Sequence, residues 1–340
     1  MSAESLDVFL NELDQFGRSE RTLEAYDRVL NQYRQFLENE REIDSNHFES
    51  ATREDCLAWL NTLRDSYSDS TIASYTTYVN RFYRYMIEIG ALDSNPMTLV
   101  IEESNERIET DPTRRDIAVD DLRTFVREVH HPQHRALIML LAKTGVRAGE
   151  AVNLDIRDLE LNSIEIEEHY GVLPRGQLVG RGPSLYVSRE PQRGHEYNGE
   201  VRQASNKRQR DTIIPIDAEL ESELMRWLAI RPDTISAAEP LFVSTKHDWG
   251  GRMTIDQVRH IIREYAKTEG WYAENADPGE NVTPHYFRHF FTTHLRNRIG
   301  DRGVVKYLRG DVADDIIDTY THNWGDLVRG TYEEHIYSLT

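Results

Sequence analysis

TPHYFRH, at residues 283–289, is the stretch that predicts a helix start with two cationic side chains on one face. Thr283 is predicted to cap this helix and Pro284 to take its first position, where a missing N–H has no partner to lose. His285 and Arg288 are then three residues apart and share a face of the first turn. Because a helix N-terminus is partially positive, this turn favours an anion such as phosphate. A His-x-x-Arg sequence is common, so an ordinary surface helix start stays open as the alternative.

A second candidate anion site lies in KTGVRAGE, residues 143–150. An apolar helix predicted over 132–143 ends at Gly145, a residue that tolerates a left-handed turn. Arg147 follows at the bend, and Glu150 is close enough along the chain to fix its guanidinium group. A fixed guanidinium fits two phosphate oxygens better than a mobile lysine does. The alternative is a turn between helices with a surface salt bridge.

The charge balance argues against a typical nucleic-acid-binding protein. The chain of 340 residues has 59 acidic and 40 basic residues, a formal net charge of −19. Phosphate neutralisation supplies much of the affinity for DNA, so one interpretation is that the protein binds no nucleic acid. The other is that basic residues gather locally. Only 5 of the 40 basic residues are lysines, and this acid-rich, lysine-poor composition predicts a halophilic host, whose high-salt cytoplasm demands a strongly charged surface.

Localisation and cofactors are predicted from what the sequence does not contain. It has no apolar run approaching the roughly 18 residues of a membrane span. Its first residues, MSAESLD, do not resemble a signal peptide. Cys56 is the single cysteine, which excludes an intramolecular disulfide and a cysteine-rich zinc site. We therefore expect a cytoplasmic protein without a membrane segment, and nothing predicts a metal or another cofactor.

The chain is long enough for two domains. Residues 1–98 show apolar positions at helical spacing throughout and predict an all-helical domain. Residues 99–116 are polar and predict a linker, and 117–340 predict a mixed domain of helices with a small β-sheet. Short strands are predicted at 164–166, 185–187 and 212–214. An inserted loop or hairpin is expected at about 171–203 and a C-terminal helix at about 327–339.

Taken together, these motifs resemble those of the tyrosine recombinase/integrase family, of the Xer and phage integrase kind, over nearly the whole chain. The segment from Thr144 to Glu150 matches the family's first catalytic arginine motif with its supporting acid, and His285-x-x-Arg288 matches the second. The first 98 residues resemble the helical, SAM-like core-binding domain. The resemblance implies a site-specific recombinase that cuts and rejoins double-stranded DNA through a 3′-phosphotyrosine. It also implies a homo-tetramer on DNA, and a monomer or dimer when free.

The same resemblance implies the nucleophile. The segment IDTYTH, residues 317–322, resembles the family's Tyr-Thr-His ending, and Tyr320 follows Arg288 by the expected 32 positions. Tyr332 and Tyr337 are rivals on the predicted terminal helix. A tyrosine has an ordinary pKa of about 10, so it needs a nearby cationic field to attack as a phenolate.

Lys207 is the candidate general acid. It stands eight residues before Pro215 on a predicted hairpin and resembles the family's mobile hairpin lysine, which protonates the leaving 5′ oxygen. Arg202, Arg208 and Arg210 predict a local basic patch around it. A surface hairpin with solvated charges is the alternative.

Asp311 departs from the family pattern. It lies nine residues before Tyr320, where the family commonly has a histidine or tryptophan. A carboxylate there would repel phosphate, or it would orient Arg288 or His285, or accept a hydrogen bond from Tyr320. Three residues are candidates to supply the missing donor: Arg309, His322 and Trp324.

Three other classes of protein stay open. A type IB topoisomerase-like enzyme uses the same tyrosine chemistry but relaxes supercoils as a monomer. A catalytically weak or silent DNA-binding relative would be consistent with Asp311 and the acidic surface. A helical protein unrelated to nucleic acid would require every motif match to be coincidental.

Overall fold

A computed structural model describes residues 2–41, 43, 47–108, 114–276, 279–311 and 324–340. The chain forms two compact units, Met1–Pro112 and Thr113–Thr340. Helices dominate both units and the strands are short, which confirms the predicted fold class.

The first unit is entirely helical in its described residues. Aromatic side chains fill its core, where Tyr33 packs against Trp59 and Phe82 against Phe48. Two of the helices have a short polar cap, because the Ser19 side chain accepts the N–H of Thr22 and the Thr52 side chain accepts that of Asp55. The helices are α1 Ser2–Gln15, α2 Glu20–Glu40, α3 His47–Ser50, α4 Arg53–Arg64, α5 Asp69–Glu88 and α6 Thr98–Glu103.

Helix α6 overlaps the start of the range 99–116 that was expected to be a linker. Val100 is buried in the core of the first unit, and Glu106 accepts a hydrogen bond from Arg64 Nε at 2.6 Å. These contacts attach the start of the segment 99–116 to the first unit. Its polar composition hid them, because Met97, Val100 and Ile101 are enough to dock this short helix.

The second unit combines nine α-helices of the described residues with a three-stranded antiparallel sheet. Strand β2 is central, with β1 on one side and β5 on the other, and Leu185 pairs with Ile214. The strands are β1 Leu159–Glu160, β2 Ser184–Val187, β3 Glu196–Tyr197, β4 Glu200–Val201 and β5 Thr212–Pro215. The helices are α7 Val119–Glu128, α8 Pro132–Thr144, α9 Ala148–Asn153, α10 Ile164–Tyr170, α11 Ala218–Leu228, α12 Ile255–Thr268, α13 Pro284–Ile299, α14 Arg302–Arg309 and α15 Trp324–His335.

The predicted strand at 164–166 is wrong, because these residues begin helix α10. Ser163 caps the helix by accepting the N–H of Ile166, and no residue of α10 is buried. Three alternating residues are too few to distinguish a strand from one face of a short helix. The capping serine is the signal that decides between them.

The range 171–203, which was predicted to be an inserted loop or hairpin, contains the central strand β2. The insertion itself is therefore the segment that follows β2 and precedes β5. There β3 and β4 form a hairpin whose turn is Asn198-Gly199, both with positive φ, as a type I′ turn requires. Buried Asp155 holds this hairpin, since it accepts Arg202 Nη2 at 2.6 Å and also pairs with Arg252 at 2.6 Å. The insertion is therefore fastened to the second unit.

The C-terminal residues pack on their own unit. Helix α15 ends at His335, short of the predicted 339. The hydroxyls of Tyr332 and Tyr337 donate to the carbonyls of Lys143 and Ala142 at the end of α8. Both tyrosines are buried, so the tail completes the core of the unit that carries it.

Candidate active site

The first arginine motif sits where α8 ends and α9 begins. Gly145 terminates α8 with φ +64°, and a Cβ added there would lie 2.5 Å from the ring of Phe291. Only glycine fits both the left-handed backbone and this close approach. Arg147 then takes the N-cap position of α9. Its guanidinium group is about a quarter exposed, with 26% of the side chain accessible.

Glu150 fixes this arginine as predicted from the spacing. The carboxylate is fully buried and accepts both the backbone N–H and Nη1 of Arg147, each at 2.9 Å. It also accepts Nη2 of buried Arg208 at 3.3 Å. A charge buried in this way needs such partners to offset its desolvation. The orientation of Arg147 is therefore set before any ligand arrives.

The second motif reaches the first through Arg288. Helix α13 begins at Pro284 as predicted, with Thr283 at the N-cap position but without a side-chain cap hydrogen bond. Arg288 is 2% exposed and donates Nη1 to the carbonyl of Gly145 at 2.7 Å. Burial, with the charge of Arg147, lowers the pKa of Arg288 to about 10. The two motifs, 141 positions apart, thus form one cationic cluster.

Asp311 lies at the centre of this cluster. Oδ1 accepts Arg147 Nη2 at 2.8 Å and Oδ2 accepts Arg288 Nη2 at 2.7 Å, while Arg309 Nη2 forms an ion pair with Oδ2 at 2.8 Å. Burial by itself would raise the pKa of Asp311, but the guanidinium groups, Arg288 first, hold it below its ordinary value. Of the roles predicted for Asp311, the structure supports contact with Arg288. It adds contacts with Arg147 and Arg309, and no hydrogen bond joins Asp311 to His285 among the described residues.

His285 projects from the first turn of α13 and is exposed. No hydrogen bond to its imidazole forms within the described part of the chain. Partial desolvation lowers the pKa of His285, and the charges of nearby arginines, Arg114 and Arg288 first, lower it further. The imidazole is therefore neutral at pH 7 and can accept a proton.

Lys207 is exposed in the connection between β4 and β5. Its carbonyl lies 3.4 Å from Arg147 Nη1, which brings the backbone of this residue to the cluster. Its neighbours are fixed: Asn206 bonds to the carbonyl of Ser188, and Arg208 is buried. The structure thus places Lys207 on an anchored segment beside the first arginine motif.

The predicted basic patch around Lys207 is wrong in two of its three arginines. Arg202 and Arg208 are buried in ion pairs, with Asp155 and Glu150 respectively. Arg210 remains at the surface, partly covered and stacked over the ring of Tyr307 at 5.1 Å. A run of basic residues in the sequence does not distinguish solvated charges from internal ones.

The proposed nucleophile Tyr320 lies outside the described residues, as does His322, and Trp324 is described only in its backbone. The rival tyrosines are described. Burial raises the pKa of both Tyr332 and Tyr337 well above the ordinary value, and each hydroxyl already donates to a backbone carbonyl. Neither is placed to attack a DNA phosphate in this arrangement.

Arg208 is the functional candidate that sequence reasoning misassigned. Besides Glu150, it donates Nη1 to the carbonyl of Leu308 at 3.2 Å, and so connects the Lys207 segment to the end of α14. Gly310 follows there with φ +69°, and a Cβ on it would lie 2.7 Å from Arg208 Nη1. The Arg-Gly-Asp order of 309–311 was a signal of this turn, but the partner of the glycine, Arg208, is 102 positions away.

Comparison with known proteins assigns both units. Residues 6–90 match the model of the phage integrase N-terminal SAM-like domain, and residues 195–324 match that of the phage integrase family. Tyrosine recombinase XerC of Roseiflexus castenholzii is 26% identical over 336 residues, covering 94% of this chain and 88% of that protein. Tyrosine recombinase XerD of Ralstonia nicotianae is 24% identical over 332 residues, covering 94% and 89%.

Solved structures show the same fold. The Tn1549 transposon integrase in complex with a circular intermediate DNA has a TM-score of 0.65 and 19% identity, over 97% of this chain and 98% of that one. A lambda integrase dimer bound to a COC′ core site has a TM-score of 0.62 and 16% identity, over 93% and 96%. A lambda integrase tetramer bound to a Holliday junction has a TM-score of 0.62 and 15% identity, over 92% and 77%.

A helical first unit followed by a mixed unit with a convergent arginine site is the organisation of an enzyme that breaks and rejoins DNA strands. The chain belongs to the phage integrase family of tyrosine recombinases, with Xer recombinases among its relatives. It is a tyrosine-type site-specific recombinase. No described helix is both long enough and apolar enough to cross a bilayer.

Proposed function

We propose that Arg147, Arg288, His285, Lys207 and Tyr320 carry out strand cleavage and rejoining on duplex DNA. The observation that carries this proposal is the shape of the anion site. Arg147 and Arg288 each direct Nη2 at a different oxygen of one carboxylate, at 2.8 and 2.7 Å. Two non-bridging oxygens of a phosphodiester offer the same pair of acceptors.

In the first step, the Tyr320 phenol oxygen attacks the scissile phosphorus. The neutral imidazole of His285 accepts the phenol proton. The bond between phosphorus and the 5′ oxygen breaks, and Lys207 donates a proton so that the strand leaves as a 5′-hydroxyl. The 3′ phosphate is then bonded to Tyr320.

In the second step, a 5′-hydroxyl of another strand attacks the phosphotyrosine. Its proton passes to the neutral amine of Lys207, and the departing Tyr320 oxygen takes a proton back from His285. One phosphodiester is broken and one is formed, so no external energy source is required. Arg147 and Arg288 stabilise the charge of the pentacoordinate phosphorane in both steps.

We also propose that the enzyme acts as a homo-tetramer on two DNA duplexes and is smaller when free. Support comes from the fold shared with lambda integrase, which has been solved as a tetramer on a Holliday junction. The packing of α15 on its own unit describes a protomer whose tail is not exchanged. A type IB topoisomerase activity would instead relax supercoiled plasmid as a monomer, so a relaxation assay separates the two.

The acid-rich, lysine-poor composition supports a cytoplasmic enzyme adapted to high salt, with 59 acidic residues against 40 basic ones. High salt weakens DNA binding by reducing the gain from counterion release, so short-range charge–phosphate contacts must supply the affinity that remains. Unfolding measured from 0.1 to 3 M KCl tests this adaptation, and a stability that falls with KCl contradicts it.

A nicked suicide substrate tests the chemistry. When the nick lets a short fragment diffuse away after cleavage, the covalent protein–DNA adduct accumulates and is resolved on a denaturing gel. We expect an adduct with the wild type and with Tyr332→Phe, and none with Tyr320→Phe. An adduct that persists in Tyr320→Phe but disappears in Tyr332→Phe would reassign the nucleophile, and no adduct in any variant would leave a silent DNA-binding relative.

A further inference from the structure

Arg309 ends helix α14 and contributes a third guanidinium group to the anion site. Its Nη2 lies 2.8 Å from Asp311 Oδ2, the same oxygen that Arg288 Nη2 approaches at 2.7 Å. Arg288 also donates to the carbonyl of Arg309 at 3.0 Å. The side chain and backbone of Arg309 are thus both in contact with the cluster.

Arg309 has a second donor, Nε, beside the Nη2 that pairs with Asp311. Its Nε is buried and has no acceptor among the residues that the structure describes. Nε and Nη2 lie on one edge of the guanidinium group, so both can donate to an anion oxygen at that edge. A buried donor without an acceptor is destabilising, and an arriving phosphate oxygen would satisfy it.

The charge of Arg309 affects the pKa values of other candidate site residues. It contributes, after burial and the charges of other arginines, to lowering the pKa of His285 and of Arg288. An ordinary surface ion pair is not part of such a cluster of charges. Arg259 and Asp256, for example, pair at 2.7 Å with 51% and 87% of their side chains exposed, whereas the Arg309 side chain is 30% exposed.

The charge count explains why a third arginine is needed. The charges of Glu150 and Arg208 cancel each other, and Asp311 at the centre reduces the charges of Arg147 and Arg288 from two to one. Arg309 restores the net charge of the cluster to two. Asp311 is a carboxylate at a position where a neutral or cationic donor would bind phosphate better. The positive charge of Arg309 therefore restores the attraction of the site for an anion.

We propose that Arg309 is a catalytic residue that binds the scissile phosphate, and that Asp311 holds the three guanidinium groups in place until the phosphate displaces it. This inference rests on the proposed function. Arg309 supplies the donor that position 311 lacks. It forms and breaks no covalent bond and keeps its protons throughout.

Arg309 contributes more to the transition state than to binding. A phosphodiester has one negative charge, whereas the phosphorane has about two, so a cation at this oxygen favours the phosphorane. We therefore expect its loss to slow cleavage more than it weakens binding. Removal of one such donor typically costs about a hundredfold or more in rate.

A double-mutant cycle separates this role from simple pairing with Asp311. Single-turnover cleavage of the suicide substrate is measured for the wild type, Arg309→Ala, Asp311→Asn and the double variant. If Arg309 binds phosphate, Arg309→Ala slows cleavage about a hundredfold in both backgrounds. If it only pairs with Asp311, the double variant cleaves as fast as Asp311→Asn, and the inference is overturned. A wild type that forms no adduct refutes the proposed function instead.

A substrate with a methylphosphonate at the scissile position identifies the contact. Replacement of one non-bridging oxygen by methyl removes the acceptor that Arg309 binds. For one of the two diastereomers, we expect Arg309→Ala/Asp311→Asn and Asp311→Asn to cleave at the same rate. The other diastereomer should retain the Arg309 effect. Equal Arg309 effects on both diastereomers and on the phosphodiester would indicate a structural role and contradict the inference.

Two further variants complete the design. Arg309→Lys keeps the charge without the fork and should restore part of the lost rate, while circular dichroism confirms that each variant is folded. Arg226→Ala removes an exposed arginine on α11, paired with Glu223 and 64% exposed, and should cleave like the wild type. A rate loss in Arg226→Ala equal to that in Arg309→Ala would show that any arginine removal has this effect.

Discussion

Arg288 and Asp311 form an ion pair at 2.7 Å in which the arginine side chain is 2% exposed and the carboxylate 33% exposed. The buried member therefore depends on the more accessible one for its counter-charge. An incoming phosphate competes for the same Nη2 atom. The Arg288–Asp311 pair therefore stabilises the free enzyme but weakens its binding of DNA.

Asp311→Asn tests this opposition. The amide keeps the size of the side chain but removes its charge, so Arg288 loses a charged acceptor. We expect the DNA-free protein to lose about 1–3 kcal/mol of unfolding free energy, measured by urea denaturation. We expect DNA affinity at fixed salt to increase, because a competing anion is gone. Weaker DNA binding by this variant would contradict the competition.

Glu150→Gln should be strongly destabilising. Its carboxylate is fully buried and serves Arg147 and Arg208, so its neutralisation leaves buried positive charge unpaired. We expect a loss of about 3–5 kcal/mol in unfolding free energy. The matched control is Asp256→Asn, whose partner is Arg259 at an exposed pair, where a change of about 0–1 kcal/mol is expected. Similar losses in the two variants would contradict the argument from burial.

Gly145→Ala separates backbone strain from crowding. The new Cβ requires a left-handed alanine at φ +64° and meets Phe291 at 2.5 Å. Gly171 is the matched control, since it ends α10 with φ +62° and has open space around it. We expect about 1 kcal/mol of destabilisation from Gly171→Ala and an additional 1–3 kcal/mol from Gly145→Ala. Thermal or urea unfolding measures both, and equal effects would mean that Phe291 moves aside freely.

The stabilising contacts of Glu219 with the C-terminal tail should weaken on acidification. Burial alone would raise the pKa of Glu219, but hydrogen bonds from the Leu339 N–H and from Lys143 lower it to about 2. A lowered folded-state pKa means that the stabilisation is present above the ordinary pKa of 4.5 and is lost as pH falls towards 2. We expect the difference in unfolding free energy between wild type and Glu219→Gln to shrink from pH 6 to pH 3. A constant difference would argue against the ionised carboxylate.

The same contacts predict the effect of truncation after Gly330. It removes buried Tyr332, Tyr337 and Leu339 from the core of the second unit. We expect a large loss of stability in the DNA-free monomer, seen as a lowered unfolding midpoint. A truncated chain that stays as stable as the full chain but no longer assembles on DNA would instead place the tail on a neighbouring protomer.

The pH dependence of cleavage should report His285. Its pKa lies below the ordinary 6.5, so the neutral form predominates at pH 7 and is lost only as pH falls through the lowered value. We expect kcat/KM for adduct formation to decrease on the acid side, below pH 6.5. His285→Asn should cleave about a hundredfold or more slowly and lack this acid limb. An acid limb unchanged in His285→Asn would assign the titration to another group.

The sequence by itself determined the local features. The helix start at Pro284, the end of α8 at Gly145 and the spacing of Arg147 to Glu150 were predictable because each depends on residues within a few positions. The assignment to a recombinase followed from the order of such motifs. The strand at 164–166 failed because three residues do not carry enough periodicity, and α6 was missed because only a few apolar residues, Met97, Val100 and Ile101, anchor it.

Only the tertiary structure decided which charges face each other. Arg202, Arg208 and Arg210 are alike in the sequence, yet two are internal and one is at the surface, because buried carboxylates at Asp155 and Glu150 receive the first two. Asp311 was predicted to repel phosphate or to orient a neighbour, and its three arginine partners come from separate elements. Ion pairs of this kind are set by the packing of distant segments, so their geometry follows from the fold and not from spacing along the chain.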